Sequence, residues 1–168
     1  MTYFQLFEIP EQLKVNAAAL SKKFFELSRR YHPDHVANES PEIQSEYLER
    51  SAMLNKAWKT FQDPDLTLRY VLMQKGLMQE EEKYELPPGF LMEVLDINEQ
   101  IMEMDETTDR AQLSSNNAQL SSDIYDPVKE IVEHYQEGVT TEKELLQVKE
   151  YYYKKKYLDR IRKELVSK

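Results

Sequence analysis

The feature that most constrains the fold is a tripeptide, His32-Pro33-Asp34, set between two stretches of helical periodicity. Before it, Ala17, Leu20, Phe24, Leu27 and Tyr31 fall in one stripe about 80° wide at 100° per residue. After it come a loop, His35 to Glu39, and a second stretch, Pro41 to Phe61, in which Ile43, Tyr47, Leu54, Ala57, Trp58 and Phe61 share a face. Proline has no N–H to donate and pushes the preceding residue out of helical geometry, so the first helix must end before Pro33. Two amphipathic helices broken at that point can bury their stripes only against each other. The expected unit is an antiparallel hairpin whose turn carries an imidazole and a carboxylate at a solvent-facing corner.

The helix boundaries are signposted. Asn16 is an N-cap ahead of Ala17, and Ser40 is another, with Pro41 in the favoured first position. Residues 3–9 read as a short helix or turn ended by Pro10. Asp63-Pro64 closes the third helix. A fourth, from Leu66 to Lys75, is capped by Gly76 and packs through Leu68, Val71 and Leu72, while Trp58 reads as core filler. Opposite the apolar stripe of the second helix stand Lys22, Lys23, Arg29 and Arg30, interrupted by Glu26. In isolation such a face is an ordinary solvated one.

Charge changes along the chain. Residues 1–75 hold ten basic and ten acidic residues, whereas residues 76–168 hold twelve and twenty-one and carry the whole net charge of -9. The shift coincides with a segment ending in Pro87-Pro88-Gly89, read as a linker over residues 76–88 with Glu80 to Glu82 as a solvated acidic run. The domains are then 1–75 and 89–168. Absence of cysteine excludes disulfides and thiolate ligation of zinc or an iron–sulfur cluster. No apolar run approaches the roughly 20 residues that span a bilayer, and no leader pattern opens the chain, so no membrane is expected as a partner. Nucleic acid is not expected either, since no basic stripe stands out against the acidic total. The expected location is the bacterial cytoplasm. His32 with His35 lacks further metal ligands, and His32 with Asp34 lacks a nucleophile or phosphate loop, so neither a metal site nor a catalytic centre is read here.

In the second domain, residues 88–106 form a helix with two apolar sides. Phe90, Val94, Ile97, Ile101 and Met104 make the core face. Leu91, Leu95 and Met102 lie about 100–140° round, beside Met92, Asp96, Glu99 and Glu103. Such a wheel fits either a partner site rimmed by charge or a helix sandwiched inside its own bundle. Asp109 to Glu137 is a second helical region with Leu120, Ile124, Val128, Ile131 and Tyr135 in register. Pro127 interrupts it, so either Asp126 caps a new helix or the helix kinks. Gly138 ends it. Thr141 to Glu144 is a capping box opening a last helix to about Val166, with Leu145, Val148, Tyr151, Leu158, Ile161 and Leu165 inward and Tyr157 off that stripe. The fold class expected is all-α: an N-terminal hairpin and a C-terminal three-helix bundle, roughly L-shaped.

The hairpin, the basic face, His32-Pro33-Asp34 and the opening Tyr3-Phe4-Gln5-Leu6-Phe7 together resemble the J-domain, over roughly residues 1–75. That resemblance implies stimulation of ATP hydrolysis by a DnaK-type chaperone. Lys22, Lys23, Arg29 and Arg30 would face an acidic surface of the ATPase, Asp34 would engage its polar groups, and His32 and Pro33 would hold the corner. With Phe90-Leu91-Met92-Glu93, Leu95, Asp96, Glu99, Glu103 and Tyr157-Leu158-Asp159, the whole chain resembles the HscB family of iron–sulfur co-chaperones. The family implies partners, the chaperone ATPase HscA and the cluster scaffold IscU, and no cofactor of the protein's own. Its scaffold-binding positions fall on Leu91, Met92, Leu95, Asp96, Glu99, Glu103 and Tyr157. Asp96 stands where the family usually has glutamate and Tyr157 where it has phenylalanine, and Pro127 departs from a smooth middle helix. Other readings are a general folding co-chaperone that holds unfolded clients, against which stands the lack of Gly/Phe-rich and Cys-rich segments, and a stand-alone helical enzyme.

Overall fold

A computed structural model describes residues 1–167. Among them are eight α-helices, two 3-10 turns and no strand, so the fold is all-α as expected. The helices are α1 (Tyr3–Leu6), α2 (Ala17–Arg30), α3 (Pro41–Phe61), α4 (Pro64–Gln74), α5 (Pro88–Met102), α6 (Arg110–Tyr125), α7 (Lys129–Glu133) and α8 (Glu142–Ser167). They divide into two compact units, Met1–Val71 and Leu72–Lys168.

In the first unit, Asn16 caps α2 by accepting the Ala19 N–H, and Ser40 caps α3 by accepting that of Ile43. The hairpin closes over Leu27, Leu54, Ala57 and Phe61, all nearly inaccessible to solvent. Phe61 is the aromatic hub, 5.2 Å from both Phe4 and Phe7. Trp58 stacks on Phe24 at 4.8 Å and stays half-buried, a wall of the core rather than its filler. Tyr3 stacks on Tyr70 at 4.1 Å and its N–H donates to the Tyr70 hydroxyl, which fastens α1 to α4. Ile43, expected inward, is exposed. Tyr31 at the end of α2 meets Tyr47, so the first turns of α3 run past α2 and have no helix to cover them.

The second unit packs Phe90, Val94, Ile97 and Ile101 of α5 against Leu113 of α6 and Leu158, Ile161 and Leu165 of α8. Asp109 caps α6 by accepting the Gln112 N–H. Pro127 splits the middle helix rather than kinking it. The i→i−4 ladder cannot continue through a residue without an N–H, and the backbone tightens into a 3-10 turn over Asp126–Val128 before α7 resumes. Asp126 makes no side-chain cap there. The tighter turn rotates α7 relative to α6, so Val132 is buried and Ile131 only half so.

Two further expectations change. Along α8 Tyr152, not Tyr151, is the buried tyrosine, and Tyr153 stacks on Tyr84 at 4.7 Å. The segment before α5 lies on α8. Leu86 joins the core, and Glu82 accepts from Lys149 Nζ at 2.9 Å and from the Tyr153 hydroxyl at 3.2 Å. Glu82 is therefore paired, while Glu80 and Glu81 are solvated as expected. Gly76 and Gly138 hold φ of +73° and +79°, left-handed stops just after α4 and the α7 segment.

Candidate interaction sites

The tripeptide turn is fixed from three sides. His32 is extended, as a residue before proline must be, and Pro33 opens a 3-10 turn over Pro33–Val36. The Asp34 N–H donates to His32 Nδ1 at 3.2 Å, so the imidazole caps the turn as an acceptor. Val36 is buried beneath it. Beyond it, Gln44 Nε2 donates to the carbonyls of Ala37 and Glu39 at 3.2 and 2.9 Å, tying the loop to α3. What this framework presents is the Asp34 carboxylate, 91% exposed and 3.5 Å from His32 Nδ1. His32 itself is exposed at the same corner.

The four cations of α2 divide into two pairs. Lys22 and Arg29 are exposed and have no acidic partner among the described residues. Lys23 and Arg30 lie 2.8 and 3.7 Å from the carboxylate of Glu8. The hydrogen bond and charge of Lys23, helped by Arg30, hold the Glu8 carboxyl below its ordinary range. The periodicity of α2 contains no sign of this contact, because Glu8 lies outside that helix.

On the second unit the two-sided wheel of α5 resolves into a covered and an open side. Leu91, Leu95 and Met102 are 41%, 55% and 80% exposed while the core face is sealed. Between this side of α5 and α8 runs an open groove of about 610 Å³, walled by Leu91, Leu95, Met102, Tyr157, Arg160 and Glu164. Tyr157 is 37% exposed, and the Arg160 guanidinium lies 5.5 Å from its ring centroid. Leu158 and Ile161, both sealed in the core, fix the helix that carries them. Leu91, Leu95 and Tyr157, far apart in the chain, thus share one groove. Met92, Asp96, Glu99 and Glu103 do not line it; they stand exposed on the neighbouring strip of α5. Arg160 and Glu164 were not singled out from the sequence. Their spacing of three and seven from Tyr157 was the available signal, since it puts them on its helix face.

Among the described residues there is no group of three or more His, Cys, Asp or Glu arranged to hold a metal ion, and no helix long and apolar enough to cross a membrane.

Residues 86–166 match the model of the HSCB C-terminal oligomerisation domain. Two solved structures resemble the chain along nearly its whole length. Chaperone HscB from Vibrio cholerae aligns with a TM-score of 0.74 and 22% identity, over 99% of this chain and 96% of that one. The human co-chaperone HscB aligns with a TM-score of 0.77 and 24% identity, over 98% and 80% respectively. The structural likeness gives the chain the fold of the HscB structures along nearly its whole length, and the domain match assigns residues 86–166 to the HSCB C-terminal domain.

Proposed function

We propose that the chain is an adaptor of iron–sulfur cluster assembly. It binds the scaffold IscU through the open side of α5 with Tyr157, and presents it to the DnaK-type ATPase HscA through its J-domain, residues 1–75. Asp34 then triggers ATP hydrolysis, which locks the chaperone on the scaffold and promotes release of the cluster to acceptors. Joining the two contacts in one chain raises the effective concentration of scaffold at the chaperone.

The observation that carries this reading is the exposed apolar strip of Leu91, Leu95 and Met102 bordered by Asp96, Glu99 and Glu103. An exposed greasy surface with a charged rim is the ordinary composition of a protein-binding site. It supports a folded partner of defined shape better than a general holder of unfolded chains. The deciding experiment is a titration of the HscA ATPase rate by this protein, with and without IscU. Stimulation that grows when IscU is added, and is lost in Asp34→Asn while scaffold binding persists, is the expected result. Full stimulation by Asp34→Asn refutes the role given to the turn. Tight binding of denatured protein, with none of folded IscU, favours a general folding co-chaperone instead.

A further inference from the structure

Glu8 has a backbone conformation that its residue type does not favour. Its φ is +57°, and it is the only non-glycine residue at positive φ among those described. The chain reverses there: the Glu8 N–H donates to the Gln5 carbonyl and the Ile9 N–H to that of Phe4. The reversal aims the side chain at α2. One carboxylate oxygen lies 2.8 Å from Lys23 Nζ, the other 3.7 Å from Arg30 Nη1. Lys23 and Arg30 are seven residues apart and so nearly in line along the helix, which lets a single carboxylate span both.

We propose that Glu8 is a built-in competitor for the docking face of α2, which a DnaK-type ATPase must displace before it can engage all four cations. The proposal rests on the reading of that face as the chaperone contact. Lys22 and Arg29 remain free for first encounter, whereas Lys23 and Arg30 are engaged fully only when an incoming acidic surface outcompetes Glu8, the nearer of the two carboxylates at Lys23 (2.8 Å, against 4.0 Å for Glu26). Docking is therefore weaker than four free cations would make it. The maximal stimulation, which belongs to the Asp34 turn, is untouched. The strained backbone adds to the argument, since glycine would hold this φ without strain and only the side chain distinguishes glutamate there.

The test uses the full chain, Glu8→Gln and Glu8→Gly. Glutamine removes the charge at constant size, and glycine also relieves the backbone. One readout needs no chaperone: the rate of acetylation of Lys23 relative to Lys22 under acetic anhydride, followed by mass spectrometry. The other is the protein concentration giving half-maximal stimulation of HscA, at low and high salt. Slow acetylation of Lys23 in the wild type, relieved in both variants, is expected. With it, the half-maximal concentration should fall about threefold at low salt, with an unchanged maximum and a gap that closes at high salt. Equal labelling of Lys22 and Lys23 in the wild type overturns the proposal, and so does an unchanged or raised half-maximal concentration in both variants. If Lys23 is protected but the wild type stimulates no better than Asp34→Asn, the docking reading itself has failed and the competitor role falls with it.

Discussion

The paired substitution Leu91→Ala with Leu95→Ala separates what the open side of α5 does for a partner from what it does for the fold. At 41% and 55% exposure the two side chains already bury about half of their surface within their own unit. Complete burial of a leucine is worth roughly 1.5–3 kcal/mol, so the exposed halves hold about 1 kcal/mol each that only a partner can realise. Truncating both should weaken scaffold binding by about 2 kcal/mol, roughly 30-fold in Kd. The halves already buried are lost as well, so the free protein should become less stable by a similar amount. Calorimetric titration with IscU measures the first effect, and urea unfolding followed by circular dichroism measures the second. Leu48→Ala provides the control: it is a 62% exposed leucine on α3, and it should leave the scaffold Kd unchanged. A double variant that is folded at the titration temperature and binds IscU within twofold of wild type would refute the reasoning. The strip would then be an exposed face with no partner.

Acid should weaken the fold through carboxylates that accept local hydrogen bonds. Hydrogen bonds from the Thr141 N–H and hydroxyl hold Glu144 below its ordinary value of 4.5, and Thr107 and Thr108 do the same for Asp105 below 3.8. A depressed folded pKa means stability that is present above the ordinary value and lost as pH falls through the lower folded one, so a urea midpoint series below about pH 4.5 should decline, less steeply in Glu144→Gln. Thr141→Ala, which breaks the capping box that opens α8, should cost about 1 kcal/mol at neutral pH, read from the same unfolding curves. Gly76→Ala meets nothing within 4 Å of the added methyl, so its whole penalty, roughly 1 kcal/mol, comes from the left-handed backbone; a stabilised variant would contradict that φ. Asn117 is buried between α6 and α8, donating to the Leu158 carbonyl at 3.1 Å while its own Oδ1 meets no donor. Asn117→Leu removes the donor and the orphaned acceptor together and should be neutral or stabilising in thermal unfolding, against a loss for Asn117→Ala.

What was legible in the sequence was whatever periodicity and local punctuation encode. Asn16, Ser40 and Thr141 each cap the helix they precede, and Gly76 and Gly138 stop chains where left-handed backbone is needed. The core face of α5 followed from spacing alone. Contacts between segments far apart in the chain were not legible. Nothing in Glu82 marks it as the partner of Lys149 and Tyr153, and nothing in Glu8 foretells Lys23 and Arg30, because a carboxylate carries no record of distance. The pairing of Tyr153 with Tyr84 escaped for a related reason. Wheel arithmetic on α8 assumed one covered face, whereas the segment before α5 covers a second, and the buried set widens accordingly. Leu113 and Asn117 escaped because α6 is the least amphipathic of the long helices, with polar residues around both.

The open strip on α5 also explains why this helix is so apolar in an acidic chain. A surface helix needs one stripe to hold it in place, and Phe90, Val94, Ile97 and Ile101 already supply it. Leu91, Leu95, Met92 and Met102 therefore add no further anchorage in proportion to the apolar area they expose to water. Left unbordered, such a strip would invite self-association. Asp96, Glu99 and Glu103 stand beside it on the same helix, and all three are of one sign, so two copies brought face to face would repel. On the proposed reading of this strip, an acidic border favours a surface that offers basic groups around an apolar centre over one that is itself acidic. Arg160 and Glu164, on the opposite wall of the groove, add one charge of each sign and so leave the acidic border on α5 to set the preference. The physical demand on the proposed partner is thus a basic-rimmed apolar patch, which a charge-reversed Asp96→Lys, Glu99→Lys pair should turn away even though every leucine is still in place.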